Sequence, residues 1–549
     1  MTHDQEIRPV RGAGTGQQAR TGQHNGSAPD GKQPPHHDSG PGIQPARWAV
    51  AAGVVAAGTG VVLGELLAGL VSPSVSPMTA VGGAVIDAAP PAVKEWAISL
   101  FGTADKLALL AGMALVMAAL AGLAGVLEWR RRFAGAAVIA VFGVVGLVAV
   151  LTRAQVTPNA IPVPLVAAGL GIVLLRWLMT RLGAWRASAD STLPARRSFL
   201  QLLAGGAAVA AVGGVLATAW RGAAAGVNEV RSKLLLPSAR SLAPAIPAGA
   251  EVGLEGMDPL VTPNPDFYRI DTALSVPVLD PEKWTLKVTG MVEREIELDF
   301  ATLLAKPMTE RHITIACVSN EVGGDLIGNA LWLGWPVREL LSMAGPTPGA
   351  DMVLSRSSDG WTASTPLEVL TDNRDALLAV GMNGAPLPLE HGFPVRMIVP
   401  GLYGYVSATK WITELKVTRF ADDVAYWTPR GWTDHGPIKT SSRIDVPRNG
   451  RSATAGTVMF GGVSWAQHTG VSRVELRVNR GAWQEARLAP GISLDTWRQW
   501  QLGIDLTPGQ YEVQVRATDL NGAAQAEERR PVAPDGATGL HTIRVEVTP

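Results

Sequence analysis

Long apolar runs in the first half of the chain set the strongest limit on its fold. From Trp48 to Trp220 the sequence alternates such runs with short polar links. Each run approaches the length of about 20 residues that a helix needs to cross a bilayer. The sequence therefore predicts an N-terminal all-α bundle of five transmembrane helices within residues 47–221, near residues 48–71, 106–127, 133–151, 160–180 and 199–220.

Basic residues predict how this bundle is oriented. Residues 130–132 are all arginine and separate the second and third runs, and five more arginines lie at or after the end of the fourth run. The links after the first and third runs carry few basic residues. Because basic links stay in the cytoplasm, we expect a multi-pass protein of the cytoplasmic membrane with a cytoplasmic N-terminus. Everything after the fifth run is then extracytoplasmic.

The fifth run begins with a pair of arginines, Arg196 and Arg197, followed by Ser198-Phe199-Leu200-Gln201. This segment resembles a twin-arginine export signal placed inside the chain. Such a signal suits a downstream domain that folds around a complex cofactor before it crosses the membrane. The alternative is a basic pair that only anchors a helix at the cytoplasmic face.

Composition narrows the remaining functions. Residues 1–46 are rich in Gly, Gln, Pro, His and Ser, which predicts a disordered cytoplasmic tail. The 47 basic and 47 acidic residues cancel, which argues against a nucleic-acid partner. All nine histidines lie outside the five runs, and a haem between helices commonly needs imidazole ligands. We therefore expect no haem, and a bundle that anchors the chain in lipid. Glu65 is the main charge inside the runs and is expected to be solvated.

The second half has the pattern of a folded extracytoplasmic region. Residues 222–257 mix Ala, Pro, Ser and Gly and predict a linker with one short helix. A strand-like stretch at 284–288 and helical spacing at 337–344 predict an α+β domain over residues 258–430. In residues 431–549, three stretches with period-two alternation, 471–479, 511–515 and 541–547, lie between turn signals and predict a β-sandwich.

Cys317 is the only cysteine of the chain. It cannot form an intrachain disulfide, so any chemical role depends on its thiolate, as a nucleophile or as a metal ligand. A free cysteine at the end of a strand is also commonly a small buried apolar residue. Residue type alone leaves these alternatives open. They include a hydrolase or transferase in which Cys317 is the nucleophile and His312 or His391 is the base.

Three stretches around Cys317 resemble the sulfite oxidase family of molybdenum enzymes. They are residues 262–271, residues 317–341 with a Trp-x-Gly-x-Pro segment at 332–336, and residues 391–411. Each stretch is weak alone, but their order and separations are specific. The resemblance covers roughly residues 260–549. It implies a sulfite-oxidase-type molybdopterin domain followed by an immunoglobulin-like β-sandwich of the dimerisation type, so that a homodimer is among the expected assemblies.

The resemblance implies a molybdenum–molybdopterin cofactor whose metal is bound by the Cys317 thiolate, the catalytic residue. The matching positions supply charged groups for the cofactor phosphate and pterin, an aromatic segment that lines the cofactor, and hydroxyl and backbone groups. The implied cofactor-binding residues are Asn264, Tyr268, Arg269, Cys317, Ser357, His391, Arg396, Ala408, Thr409 and Lys410.

The implied reaction is a two-electron oxygen-atom transfer on a small, sulfur-containing oxygen donor or acceptor, either sulfite oxidation or sulfoxide reduction. Family members that oxidise sulfite typically carry an arginine soon after the cysteine, where this chain has Glu321 in the segment 318–321. A carboxylate there disfavours an anionic substrate. The chain has no Cys-x-x-Cys-His motif, so electrons pass to a separate partner such as a cytochrome or a quinone-linked protein. A catalytically inactive, membrane-tethered scaffold of the same fold is a further alternative.

Overall fold

The computed structural model describes residues 45–71, 77–88, 105–151, 161–187, 193–221, 223–273 and 276–549. Of the predicted disordered tail, residues 1–44 lie outside the described residues, and residues 45 and 46 belong to the first helix.

Helices make up the N-terminal region of the described chain. They are α1 (Pro45–Val71), α2 (Pro77–Ala88), α3 (Asp105–Arg130), α4 (Ala134–Leu151), α5 (Pro162–Ala187), α6 (Leu193–Arg221) and α7 (Ala223–Lys233). Five of them, α1, α3, α4, α5 and α6, are long and apolar enough to cross a membrane, which confirms the five predicted spans. The short helix α2 was not predicted. Glu65, expected to be solvated, is instead half-buried and accepts a hydrogen bond from the backbone N of Met78 in α2, at 2.9 Å.

Small residues allow α1 to lie directly against three other helices. A Cβ added to Gly53 would lie 2.1 Å from the carbonyl oxygen of Ala121 in α3. A Cβ added to Gly60 would lie 2.6 Å from the carbonyl oxygen of Ala167 in α5. Thr59 Oγ1 donates a hydrogen bond to the carbonyl of residue 206 in α6, at 3.0 Å. Small side chains at such contacts are typical of helices that associate in lipid.

The described part of the bundle also contains a buried ion pair. Glu128, near the end of α3, has a side chain that is 1% exposed and accepts a hydrogen bond from Arg176 Nη1 of α5 at 2.8 Å. The same carboxylate accepts from the backbone N of Phe133 at 3.1 Å and of Ala136 at 3.0 Å, at the start of α4. Arg176 also lies over the Phe133 ring, with 4.0 Å from Cζ to the ring centroid. The carboxylate therefore caps one helix and neutralises a cation on another.

The α+β region contains short strands and helices. Its strands are β1 (Thr285–Gly290), β2 (Ile296–Asp299), β3 (Thr309–Ala316), β4 (Ile327–Pro336), β5 (Met352–Ser357), β6 (Thr362–Pro366), β7 (Leu377–Met382), β8 (Ala385–Pro386), β9 (Arg396–Ile398) and β10 (Ile412–Thr418), and its helices are α8 (Phe300–Leu304), α9 (Val337–Ala344) and α10 (Leu367–Thr371). One sheet has the order β2-β1-β10-β5-β6, with β1 and β10 parallel. The other has the order β3-β4-β7-β8, with β9 paired to β7.

The C-terminal region is built from two further sheets. Its strands are β11 (Ser441–Val446), β12 (Ser452–Thr454), β13 (Gly456–Trp465), β14 (Val471–Val478), β15 (Gln484–Glu485), β16 (Arg487–Leu488), β17 (Arg498–Leu506), β18 (Gly509–Asp519) and β19 (His541–Thr548). The sheets have the orders β11-β13-β17-β16 and β12-β19-β18-β14-β15. Buried apolar side chains from both sheets form one core, so the predicted fold class, with helical bundle, α+β domain and β-rich C-terminal region, is confirmed. An immunoglobulin-like topology stays a prediction.

The predicted linker, residues 222–257, is partly packed into the core of the folded domains. After α7, the side chain of Ala250 is fully buried in the main hydrophobic core. The C-terminal region contributes Trp497 to this core, and its indole Nε1 donates to the carbonyl of Leu260 at 2.8 Å. The backbone N of Trp497 donates to Thr314 Oγ1 of β3, also at 2.8 Å. The β-rich region is therefore packed against the strand that leads to Cys317.

Candidate active site

Cys317 follows directly after β3 and begins a tight loop, residues 317–326, called the Cys317 loop below. The loop is closed by a hydrogen bond from the backbone N of Cys317 to the carbonyl of Leu326, at 2.9 Å. The backbone N of Ser319 donates to Cys317 Sγ at 3.4 Å. The residue is half-buried. Burial raises the pKa of the Cys317 thiol, and the Ser319 hydrogen bond and the positive charge of Lys410 oppose this rise.

Lys410 provides one of the positive charges near Cys317. Its Nζ donates to Asp271 Oδ2 at 2.8 Å and to the carbonyl of Glu390 at 3.0 Å. Arg269 Nε donates to the same Asp271 oxygen at 3.0 Å. Burial lowers the pKa of Lys410 to about 8, although the neighbouring Asp271 carboxylate acts in the opposite direction. Two cations therefore share one carboxylate.

Arg396, at the start of β9, is a buried cation without a carboxylate partner among the residues described. Its Nη1 donates to the carbonyl of His391 at 3.2 Å, and its Nη2 to that of Ala408 at 3.4 Å. The guanidinium lies over the ring of Trp332, with 5.2 Å from Cζ to the centroid. Burial lowers the pKa of Arg396 to about 10, and Tyr268 is the neighbour that opposes this effect.

His391 joins the Arg396 side of the site to Asn264. Its Nε2 lies 3.3 Å from the carbonyl oxygen of Asn264, so Nε2 carries the proton in a neutral ring. Burial, followed by the charges of Arg396 and Lys410, lowers the pKa of His391 to about 3. The Asn264 side chain is held by Asn383, whose Nδ2 donates to Asn264 Oδ1 at 2.8 Å. His391 is therefore a neutral hydrogen-bond donor.

Among the remaining predicted residues, Tyr268 lies near Cys317 and Arg396, whereas the side chain of Thr409 is engaged within a sheet. Burial raises the pKa of Tyr268, and Cys317 and Arg396 are its charged neighbours. Ser357, at the end of β5, has a buried hydroxyl. Thr409 Oγ1, in contrast, is 2.6 Å from Ser355 Oγ in the sheet interior, and the Thr409 carbonyl accepts a hydrogen bond from Met397 N. The Thr409 side chain therefore supports the sheet.

The site has unused hydrogen-bonding capacity that fits an anionic, phosphate-bearing cofactor. Within the described residues, the buried atoms Arg396 Nε, Ser357 Oγ and Ser358 Oγ have no hydrogen-bond partner. Buried polar atoms are almost always paired in native proteins. Arg269 and Lys410 share the Asp271 carboxylate, and Arg396 has no carboxylate partner among the described residues. Excess positive charge, unpaired donors and a soft thiol together match the donor set that a molybdopterin with a phosphate group requires.

The structure brings together most residues that the sequence selected, and their roles as cofactor ligands stay predictions. Contacts or electrostatic interactions connect Asn264, Tyr268, Arg269, Cys317, His391, Arg396, Ala408 and Lys410. Sequence reasoning missed three contributors. Asp271 lies in the matching stretch 262–271 but was given no role, Ser358 follows Ser357 directly, and Asn383 stands in an Asn-Gly turn after β7 that could have been recognised as a hairpin signal.

The site does not have the geometry of a cysteine nucleophile with a histidine base. In the described part of the chain, the hydrogen bond recorded for the Cys317 sulfur comes from Ser319 N, and none joins it to His312 or His391. The buried His312 has a lowered pKa and no partner there for its Nδ1. A raised thiol pKa and weakly basic imidazoles are the opposite of what nucleophile activation requires.

Comparisons with known proteins agree with this chemistry. A family model described as "Oxidoreductase molybdopterin binding domain" matches residues 273–427. Mitochondrial sulfite oxidase of Homo sapiens is 29% identical over 321 residues, which cover 50% of this chain and 58% of that protein. The "Uncharacterized oxidoreductase YuiH" of Bacillus subtilis (strain 168) is 33% identical over 157 residues, which cover 29% of this chain and 76% of that protein.

Coverage limits how far these likenesses extend. The chain spans about three fifths of the length of the mammalian sulfite oxidases that it matches, 58% for the human and 62% for the rat protein. Among solved structures, the sulfane dehydrogenase SoxCD from Paracoccus pantotrophus aligns with 58% of this chain and 89% of that chain at 23% identity, with a TM-score of 0.47.

Proposed function

This chain belongs to the sulfite-oxidase-type oxidoreductases with a molybdopterin-binding domain, and from that premise we propose that it is a membrane-anchored, extracytoplasmic enzyme of oxygen-atom transfer. Its substrate is a small sulfur compound, either sulfite or a sulfoxide. Electrons are exchanged with a separate partner such as a cytochrome or a quinone-linked protein. The observation that carries the proposal is the group of buried cations near the single thiol: Lys410 acts on Cys317, and Tyr268 has both Cys317 and Arg396 as charged neighbours.

Each residue of the site has a binding or orienting role in this proposal. When bound, the cofactor supplies the two-electron redox chemistry. Cys317 holds the metal through its thiolate, which is a soft ligand. Arg396 and Lys410 bind the negative charges, Arg as a planar fork and Lys as a point charge. Tyr268, with its raised pKa, holds a proton on its phenol oxygen and acts as a neutral donor.

His391 is a neutral residue among the proposed cofactor-binding side chains around Arg396 and Lys410. Because its Nε2–H points at the carbonyl of Asn264 and its pKa is about 3, the imidazole stays uncharged throughout the physiological range. It would therefore line a cofactor site without adding to the charge of Arg396 and Lys410. The ring lies edge-on to Phe267, with 5.7 Å between centroids, which fixes its orientation.

Metal analysis of the full-length protein, purified from a molybdate-replete host, tests the proposal. We expect about one molybdenum and one pterin per chain. Cys317→Ser should leave the protein folded and abolish sulfite oxidation or sulfoxide reduction with an artificial electron partner, because a harder oxygen replaces the soft ligand. Asp325→Asn, at an exposed position of the same loop, is the matched control and should retain turnover. Full activity of Cys317→Ser would show that the assignment is wrong.

Topology needs a separate experiment. The arginine-rich links support a cytoplasmic N-terminus and an extracytoplasmic catalytic half, and the Arg196–Arg197 pair resembles an export signal. The guanidinium of Arg196 also lies 6.0 Å from the centroid of the Trp185 ring, a contact that suits the anchor alternative. Replacing both arginines by lysine preserves charge. If the pair is an export signal, the residues after 222 should become protected from protease added to spheroplasts. Unchanged digestion would show that the pair only anchors the helix.

A further inference from the structure

We propose that Arg443 and His541, two residues of the β-rich C-terminal region, are positioning residues that hold the Cys317 loop. Neither residue belongs to the α+β domain that carries the cofactor-binding cluster. Both contact the loop at its far end, Gly323 and Gly324, six and seven residues after the thiol. The C-terminal region thereby sets the position of a functional group in another region.

Arg443 holds the loop with a guanidinium whose other nitrogens are already engaged. The residue lies on β11, and its side chain is 5% exposed. Its Nη1 donates to the carbonyl of Gly324 at 2.8 Å, and its Nε to Asp445 Oδ1 at 2.6 Å. Its Nη2 donates to Asp258, in the segment before β1. Because two carboxylates fix the planar fork, the third donor is aimed at Gly324 with little freedom.

His541 supports the neighbouring residue of the loop through its ring. The residue is the first of β19, and its Nδ1 accepts a hydrogen bond from the backbone N of Ile444 at 3.0 Å. Gly323 has a φ of +82°, and a Cβ added to it would lie 2.2 Å from His541 Cδ2. A positive φ already favours glycine, and the imidazole excludes any side chain at this position. The loop backbone therefore rests directly on the ring.

Hydrogen bonds within the loop connect this contact to the thiol. The backbone N of Gly324 donates to the carbonyl of Glu321 at 2.9 Å. Leu326 N donates to Asn320 Oδ1 at 2.9 Å, and Asn320 N donates to the carbonyl of Cys317 at 3.1 Å. The loop behaves as one closed unit, so releasing its far end frees Cys317 as well. A positioned thiolate is what a metal ligand in a fixed geometry requires.

The single cysteine allows a direct test in the cofactor-free, full-length protein. Iodoacetamide modifies the thiol, and the rate at fixed pH reports how often the Cys317 loop opens. We expect His541→Asn, which retains an acceptor for Ile444 N and removes the ring, to raise the rate about tenfold through local opening. Arg443→Met should do the same. Arg516→Met is the control, because Arg516 also pairs with a carboxylate, Glu475, at 2.9 Å in the same region but does not touch the loop.

The midpoint of thermal unfolding separates positioning from general destabilisation. We expect His541→Asn and Arg516→Met to shift this midpoint by similar amounts, with faster alkylation only in the first. In the loaded protein, the sulfur-to-metal charge-transfer absorption should shift in His541→Asn and not in the control. Arg443→Met leaves Asp445 buried without its cation, and if this variant does not fold, His541→Asn decides alone. An unchanged alkylation rate in His541→Asn, or an equal rise in Arg516→Met, overturns the proposal.

This inference rests on the proposed function only for its purpose, since a positioned thiol matters when Cys317 binds the metal. The two can fail separately. Alkylation is measured without cofactor, so the rates can contradict the positioning role while metal analysis supports the enzyme. Equally, the rates can support the positioning role in a chain that proves to contain no molybdenum.

Discussion

Two clusters of buried charge in this chain differ in whether each charged group has hydrogen-bond and ion-pair partners. In the N-terminal helical bundle, Glu128 accepts hydrogen bonds from Arg176 and from two backbone N–H groups. In the α+β domain, Arg396 is buried with its Nε unpaired among the described residues and without a carboxylate there. A saturated pair of opposite charges stabilises the fold it belongs to. An unsaturated cluster with excess charge of one sign indicates a place for a ligand.

The largest effect expected from this difference concerns cofactor content. Arg396→Met keeps an unbranched apolar side chain and removes the charge that lies over the Trp332 ring. We expect cofactor binding to weaken by about 2 to 5 kcal/mol, because part of the cofactor's negative charge is left unpaired in a partly dry site. Cofactor-free Arg396→Met should be as stable as the parent or more stable, since an incompletely paired buried charge is removed. Pterin and molybdenum content and denaturant unfolding measure the two effects.

Arg356→Ala is the matched control for the cofactor prediction. Arg356 precedes Ser357 on β5 and is paired with Glu414 at 3.0 Å, so its charge is already compensated. Cofactor content should stay at the parental level in this variant. If Arg356→Ala lowers the content as much as Arg396→Met does, proximity to the sheet rather than unpaired charge explains the result.

Removing one charge of the Glu128–Arg176 pair should destabilise the protein, in contrast to Arg396→Met. Glu128→Gln removes the negative charge that faces Arg176, and we expect the bundle to lose about 3 kcal/mol of unfolding free energy, as when one partner of a buried ion pair is removed. Glu229→Gln removes an exposed pair with Lys233 and should change stability by less than about 0.5 kcal/mol. Unfolding of the full-length protein in mixed detergent provides the measurement. Equal small losses in both variants would contradict the comparison.

A smaller effect is expected in the pH dependence of the cofactor-free chain. The pKa of Lys410 is about 8 when folded and about 10.4 in an unfolded chain. Between these values the unfolded state binds more protons, so the unfolding free energy rises with pH, by at most about 1.4 kcal/mol per pH unit. Lys410→Met should remove this rise between pH 8 and 9.5. The same slope in both proteins would mean that Lys410 is not responsible.

The smallest effect concerns a single hydroxyl. Ser357→Ala removes a buried oxygen that has no partner in the described residues. We expect the unfolding free energy of the cofactor-free chain to rise by up to about 1 kcal/mol. Cofactor binding should weaken by a similar free energy, since one hydrogen bond to a ligand is lost, and the cofactor content should fall accordingly. Thr409→Val tests the contrast, because its hydroxyl is engaged by Ser355 at 2.6 Å and its loss should destabilise the cofactor-free protein.

Regular periodicity made much of the fold predictable from the sequence. Apolar runs of sufficient length gave the five spans, the spacing of residues 337–344 gave α9, and alternation gave β14, β18 and β19. Long-range pairs were not predictable in this way. Nothing near Glu128 in the sequence indicates a partner 48 residues later. Glu65 was expected to be solvated because it is an isolated acid near the outer end of the first run, and the sequence did not predict α2, which it contacts through Met78.

The site shows the same limit. The family resemblance selected residues type by type, and contacts recorded in the structure connect many of them. It gave no role to Asp271, since the lysine that it binds lies 139 positions away. It selected Thr409 for its backbone groups, a role that stays a prediction, and did not indicate that the Thr409 hydroxyl pairs with Ser355 within the sheet. The hydrogen bond from Arg443 to the carbonyl of Gly324 joins two regions of the chain across 119 positions. No local sequence pattern encodes such a contact.

The central place of α1 has a consequence for the timing of assembly. This helix leaves the ribosome first, yet its Thr59 hydroxyl binds a carbonyl 147 residues later, in α6. At a synthesis rate of about 5 to 20 residues per second, that partner arrives roughly 7 to 30 seconds afterwards. During this interval α3 and α5 can already cover Gly53 and Gly60, whereas the Thr59 hydroxyl still lacks its partner in α6. The described bundle is complete only when α6, the helix with Arg196 and Arg197, arrives, so the last contact of α1 depends on the latest of these helices to be synthesised.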